Sequence, residues 1–304
     1  MEKLTNRLFK LPDLEQVDEP IIFESYDSIK GIILDSIRSI EIEYKNKLED
    51  NYIRTEIGEL EFCKGRLYVL TARHSYHTFC LSLNLIKDLA VDKKKPVGWI
   101  NAGPDKDHYF GNQLLSITSR IPCYKVGTGN FTTEELSSIQ DAADKIFYES
   151  HIYTVNKPNG SFKEFELSLK KMINEKHIEF LVVEGFDFFA ELVDCKSKNY
   201  RKQLQRLLLS FKNFAKEYNI PVLLIIESDD LTKDYDTMTF KEIFKRRIAI
   251  PQIADMVLHL SATYDRENRN WNYVLENNIY SGNHRFEISP LGTGIFSEII
   301  FRDQ

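Results

Sequence analysis

Short unbroken apolar runs, each followed by a longer stretch of helical period, constrain this chain more than any other feature. The runs are Arg66–Thr71, Pro96–Ala102, Ile152–Val155, Phe180–Gly185, Val222–Ile226 and Met256–Leu260. A strand with one wet face alternates apolar and polar residues, whereas an unbroken run is apolar on both faces. Between the runs, helices are expected at Phe79–Val91, through Leu114 and Leu115, at Thr132–Tyr148, Phe162–Lys176 and Arg201–Tyr218. Thr132-Thr133-Glu134-Glu135 offers an N-terminal cap. The alternation predicts an α/β fold with a mostly parallel central sheet and helices on both faces. Trp271–Glu276 and Arg285–Ile288 close the chain as an antiparallel pair. Right-handed crossovers would place the loops that follow the parallel strands along one edge, where a site is expected.

Composition narrows the class. The chain has 304 residues, 42% of them hydrophobic and 28% charged, which fits a globular protein with one large core. A net charge of −6 argues against attraction of the whole surface to nucleic acid or anionic lipid. The four cysteines, Cys63, Cys80, Cys123 and Cys195, form no CxxC pair, which predicts reduced thiols and a cytoplasmic protein. No apolar run is long enough to cross a bilayer, so no membrane partner is expected. Residues 1–20 read as an acidic arm. Residues 21–50 read as an amphipathic helix with Ile29, Ile32, Ile33, Ile37, Ile40 and Ile42, and 51–304 as the α/β domain.

Several motifs resemble one family in order and spacing. Gly65-Arg66-Leu67-Tyr68-Val69-Leu70-Thr71-Ala72-Arg73 is similar to the entry into the phosphate loop of DnaB-type replicative helicases, and Leu81–Asn84 to the helix that follows. Leu181–Glu184 resembles the strand carrying that family's metal-linked acid. Leu209–Val222 resembles its next helix and strand, and Ile250–Asp255 the stretch after its second DNA-facing loop. The resemblance implies a RecA-like P-loop NTPase fold with an N-terminal helical extension. It also implies that residues 21–50 match the linker helix that docks on the adjacent subunit in ring-forming members.

At the positions the resemblance would make catalytic, this sequence departs from the family. A phosphate loop uses glycine so that backbone N–H groups point inward, and lysine to neutralise phosphate. Here Ser75 opens the segment, His77 falls at the glycine, Thr78 at the lysine and Phe79 at the magnesium-ligating hydroxyl. Gly103 falls at the glutamate that activates water, Glu184 at the metal-linked aspartate and Glu227 at the phosphate-sensing glutamine. The Lys-x-Arg finger falls near Glu276-Asn277-Asn278. A pseudo-ATPase is expected, acting as a binding or assembly module with no cofactor, its partner a helicase or a second copy. An alternative is an ATP-dependent helicase with an atypical site, where Arg73 or Lys64 replaces the lysine and Mg-ATP is the cofactor.

Other readings concern local chemistry. His74-Ser75-Tyr76-His77 has metal-ligand spacing but no cysteine nearby, so a polar surface turn is expected, with Ser75 a capping residue. Glu184 and Asp187 are expected at a solvated strand end, and Gly127-Thr128-Gly129-Asn130 in a turn. Lys196, Lys198, Arg201 and Lys202, with Arg206 beyond, fall at the family's first DNA-facing loop; Lys241, Lys245, Arg246 and Arg247 flank the second. They are candidate contacts for single-stranded DNA in a nucleotide-independent binder, the third alternative. Asp229, Asp230, Asp234 and Asp236 oppose it.

Overall fold

The computed structural model describes residues 37–38, 40–42, 45, 51–57, 60–72, 75–103, 107–157, 159–192, 199–227, 249–265, 270–279, 282–290 and 296–301. At 75, 107–108, 227, 262–265, 270–274, 276–279, 282–290 and 296–301 the description is of the backbone alone. The chain divides into two compact units, Met1–Asp50 and Asn51–Gln304. In the first, Ile37, Arg38, Ile40, Glu41, Ile42 and Lys45 are helical, and Ile40 and Ile42 are more than half exposed.

The second unit opens with two short antiparallel strands, β1 (Tyr52–Arg54) and β2 (Glu61–Cys63). They were not legible in the sequence because three-residue strands carry no period. They cap the sheet: Phe62 is buried edge-on against Tyr68 and Phe180, at 4.9 and 5.0 Å between ring centroids. The Cys63 backbone N–H donates to the Tyr68 hydroxyl at 2.6 Å.

Next come β3 (Leu67–Ala72) and α1 (Ser75–Ile86), which continues as a π-helical turn, Lys87–Asp92. β4 (Val97–Asn101) leads to α2 (Asp107–Ser119), α3 (Cys123–Thr128) and α4 (Thr133–Asp144), the last extended by a π-helical turn, Lys145–Glu149. β5 (Ile152–Asn156), α5 (Phe162–Lys176), β6 (Phe180–Glu184), α6 (Tyr200–Tyr218) and β7 (Val222–Glu227) follow. The chain then forms α7 (Ala249–Ile253), β8 (Met256–Asp265), β9 (Asn270–Ile279), β10 (Gly282–Pro290) and β11 (Phe296–Phe301).

The nine-stranded sheet runs β11-β10-β9-β8-β3-β7-β6-β4-β5. β8, β3, β7, β6, β4 and β5 are mutually parallel, and β9, β10 and β11 continue antiparallel from β8. The expected α/β architecture is present, with a longer antiparallel end than the sequence suggested. α1, α2 and the β1–β2 pair cover one face, packing Phe79, Leu83 and Leu114 on Tyr68, Trp99 and Phe180. α5, α6 and α7 cover the other, packing Phe165, Leu208, Phe211 and Ile250 on Val69, Val183 and Leu224.

Local signals account for several boundaries. Thr132 and Glu135 form the anticipated capping box (Glu135 N to Thr132 Oγ1, 3.2 Å), and Ser161 and Glu164 form another. The expected turn at Gly127–Asn130 is partly a helix instead. α3 includes Gly127 and Thr128, and Gly129, at φ 70°, ends it, since a left-handed cap favours glycine. The described cysteines Cys63, Cys80 and Cys123 form no disulfide. No helix among the described residues is long and apolar enough to cross a membrane.

His259 is a buried titratable group inside the sheet. His259 of β8 pairs in register with Thr71 of β3 and is 3% exposed; burial lowers its pKa from 6.5 to about 4. The folded state therefore disfavours the protonated ring. Its stabilising contribution is complete above about pH 6.5 and is lost as the pH falls towards 4, by about 3 kcal/mol in all. Urea unfolding at pH 7.5 and 4.5 will show this loss, and His259→Gln will flatten that part of the profile.

Candidate functional site

The parallel strands end together, and the segments leaving β3, β4 and β6 meet there. α1 is apolar nearly all round, as a helix must be when other elements surround it. From His77 to Ile86 every residue is buried. Its polar members satisfy themselves on the helix backbone: Ser82 Oγ donates to the Phe79 carbonyl at 2.8 Å and Asn84 Nδ2 to the Cys80 carbonyl at 2.7 Å. Of the expected polar surface turn at His74–His77, His74 lies outside the described residues and Tyr76 is exposed, but the remainder is corrected. Ser75 already belongs to α1 and His77 is 6% exposed, because the helix starts directly over the core.

Thr78 and Phe79 are 1% and 2% exposed. The Phe79 ring stacks on Tyr109, in the first turn of α2, at 5.1 Å and 20°. One residue on, Phe110 stacks on Trp99 of β4 at 4.1 Å and 24°. The Tyr76 hydroxyl lies near the Cys80 thiol and the Gln113 amide, and the Tyr109 hydroxyl near the same amide. Burial raises the Tyr76 phenol above its ordinary range and pushes the Cys80 thiol up to about 12, so Cys80 is a protonated packing group, not a nucleophile. Aromatic rings, a thiol and an amide therefore fill the space between the starts of α1 and α2.

Beneath this cluster lie Asn101 and Glu184, paired in register on β4 and β6. Glu184 follows Phe180 and Val182 in alternation, which places it on the α1 face; its charge raises the Cys80 pKa further. It is 3% exposed, so the expected solvated strand end is corrected; Asp187 is half-buried. The strand runs deeper than its apolar pattern implied because the segment after it folds back over its end.

That return brings two glycines into contact. Gly185 has φ 71°, and a Cβ there would lie 2.5 Å from the Gly103 nitrogen. A Cβ on Gly103 would lie 3.3 Å from both the Asn101 Oδ1 and the Phe188 ring. The Gly103 N–H donates to Asn101 Oδ1 at 3.0 Å, and the Ala102 N–H to the Glu184 carbonyl at 3.1 Å. The ends of β4 and β6 are thus sealed on each other with no room for a larger side chain.

The remaining candidates disperse. The Glu227 backbone ends β7 in register with Ala72. Arg201 and Lys202 are exposed on the first turn of α6, with Arg206 exposed one turn on. Arg73, Lys196, Lys198, Lys245, Arg246 and Arg247 lie outside the described residues, as do the side chains of Ser75 and Glu227. No group of three His, Cys, Asp or Glu able to hold a metal occurs among the described residues. Tyr109, Gln113, Asn101 and Phe188 went unread in the sequence: single aromatic and amide residues in a helix or at a strand end carry no pattern.

A model of the DnaB-like helicase C-terminal domain matches residues 58–285. The chain belongs to that family. It is 22% identical over 279 residues to a probable replicative DNA helicase of Trieres chinensis, covering 88% of this chain and 58% of that protein. It is 20% identical over 286 residues to the replicative DNA helicase DnaB of Mycoplasma pneumoniae (86% and 58% covered), and 19% identical over 247 residues to a probable plasmid replicative DNA helicase of Chlamydia psittaci (79% and 53%). The chain thus spans little more than half the length of these relatives. Among solved structures, a DnaB-like replicative helicase described with its interactions with primase aligns at TM-score 0.61 and 14% identity, over 77% of this chain and 58% of that one. A KaiC-like protein from Pyrococcus horikoshii aligns at 0.52 and 11%, over 82% and 98%. These likenesses establish the RecA-like fold.

The contact between the two glycines gives a sharp test. Gly185→Ala forces a left-handed alanine against the Gly103 backbone, and should cost about 2–4 kcal/mol. Chemical denaturation measures the cost; a loss under about 0.5 kcal/mol, the range of a neutral surface substitution, would show that the two segments are not in contact.

Proposed function

We propose that this chain is a DnaB-like domain without ATPase chemistry, serving as a binding or assembly module in DNA replication or the maintenance of a mobile element. The observation that carries the reading is the stack of Phe79 on Tyr109 at the start of α1. In the family to which the chain belongs, that helix start is matched with the phosphate loop. A phosphate there needs inward N–H groups, a fixed positive charge and a hydroxyl for magnesium. Here the matched positions hold buried His77, Thr78 and Phe79. Phosphoryl transfer is catalysed almost wholly by positioning and charge, so their loss together removes the basis of turnover.

Two further positions point the same way. Gly103 has no group to activate water, and a Cβ there would already press at 3.3 Å on Asn101 Oδ1 and the Phe188 ring. Glu184 is a buried carboxylate near the Cys80 thiol, poorly placed to hold magnesium without phosphate oxygens. The names of the relatives, replicative and plasmid replicative helicases, support a setting in replication or plasmid maintenance and a cytoplasmic location. A RecA-like domain that has lost turnover keeps the surfaces by which such domains assemble. Its partner on this reading is a helicase or a second copy, and no cofactor is needed.

Calorimetric titration of the intact protein with Mg-ATP should give no binding heat up to millimolar concentration and no shift in the thermal midpoint. Binding at 1,000 times Kd would stabilise the fold by about 4 kcal/mol. Micromolar binding, with turnover stimulated by single-stranded DNA, would replace this reading with that of an atypical ATP-dependent helicase.

Exposed Arg201, Lys202 and Arg206 on α6 favour a second reading, contact with single-stranded DNA independent of nucleotide. Binding of a labelled oligonucleotide should then weaken steeply with salt and fall at least tenfold on Arg201→Ala plus Lys202→Ala, with about two counterions fewer in the salt slope. No binding at low salt ends it.

A further inference from the structure

The ring stack at the start of α1 is closed on one side only. Phe79 is buried at 2% exposure, and Tyr109 lies on it nearly parallel, at 5.1 Å and 20°. Tyr109 itself is 38% exposed. With one face covered by Phe79, that exposure belongs to the other face and the ring edge, and no second ring stacks on it among the described residues.

Tyr109 is also held in place. Its hydroxyl lies near the Gln113 amide, one turn further along α2, as does the hydroxyl of Tyr76, which is 39% exposed. A ring fixed at its hydroxyl and on one face loses little freedom when a third ring joins the stack. Single-stranded nucleic acid is bound on such platforms, because every base has a flat π-face.

A second observation points to a ligand that carries a donor. Gln113 is 2% exposed, and its amide oxygen has no hydrogen-bond partner among the described residues. An unpaired buried acceptor is rare in a native structure, and a donor arriving beside the two tyrosines would satisfy it. Adenine, cytosine and guanine each carry an amino group that donates, and thymine has none.

Positive charge is available on the same edge of the sheet. α6 follows β6 in a parallel crossover, so its first turn, with exposed Arg201 and Lys202, stands at the carboxyl ends of the strands, as the start of α2 does. A protein side chain stacked on Tyr109 would gain nothing from these cations, whereas a phosphate backbone would.

We propose that Tyr109 is a stacking platform for an unpaired base of single-stranded nucleic acid, with the Gln113 oxygen receiving the base amino group. The proposal rests on the reading of the chain as a nucleotide-independent binder of single-stranded DNA, and it adds a base contact to the phosphate contacts of that reading. Arg201 and Lys202 supply affinity that falls with salt, and Tyr109 supplies a part that salt leaves alone.

The test uses the whole protein and labelled strands of about 12 nucleotides. Fluorescence anisotropy at low salt should show oligo(dC) binding about tenfold more tightly than an abasic strand of equal length. It should also bind about threefold more tightly than oligo(dT), the effect of one hydrogen bond. Tyr109→Ala should weaken oligo(dC) about tenfold without changing the dependence of log Kd on log salt, while Tyr109→Phe, which keeps the ring, binds as the parent does. Equal binding of the abasic strand, or affinity indifferent to Tyr109→Ala, overturns the platform and leaves the phosphate contacts standing. The abasic comparison needs no variant, so it decides even where Tyr109→Ala perturbs the fold. Equal binding of oligo(dC) and oligo(dT) overturns the part given to Gln113. No binding of any strand at low salt overturns the platform and the nucleic-acid reading together.

Discussion

A parallel sheet must be covered on both faces, and this constraint governs everything else in the second unit. It makes α1 a helix buried from His77 to Ile86, and it packs the starts of α1 and α2 directly over the ends of β3 and β4. It also makes the sheet edge the one place where segments from distant parts of the sequence converge. Whatever sits there is decided by what those helix starts carry.

They carry aromatic rings. Phe79 and Tyr109 stack, Phe110 lies on Trp99, and Phe188 covers Gly103. On the proposed reading, these rings stand where a DnaB-like nucleotide site needs polar, hydrated space. A pocket for phosphate is destabilising when empty, because its inward N–H groups and charge have no partner. Filling it with stacked rings offsets that cost, so loss of turnover and gain of packing are on this reading two aspects of one change. The exposed end of α4, with Phe147 and Tyr148, lies outside that region.

Much of the fold was legible because its signals are local or periodic. The unbroken run Phe180–Glu184 could only be a strand buried on both faces, and Ser161 and Thr132 with their partner glutamates fixed two helix starts. The strands β1 and β2 and the helices α3 and α7 escaped notice because three residues hold less than two alternations and five or six hold less than two turns. The site was less legible. Counting along a motif matched Phe79 to a lost ligand, but not to the Tyr109 ring that stacks on it from another helix.

The sequence alone determined the family and the parallel architecture, since both are carried by residue type and order along the chain. Only the tertiary structure decided that His77 and Glu184 are buried and that Gly103 and Gly185 meet backbone to backbone. Burial and close approach depend on which elements lie against each other, and contacts between residues far apart in the chain leave no periodic trace in it.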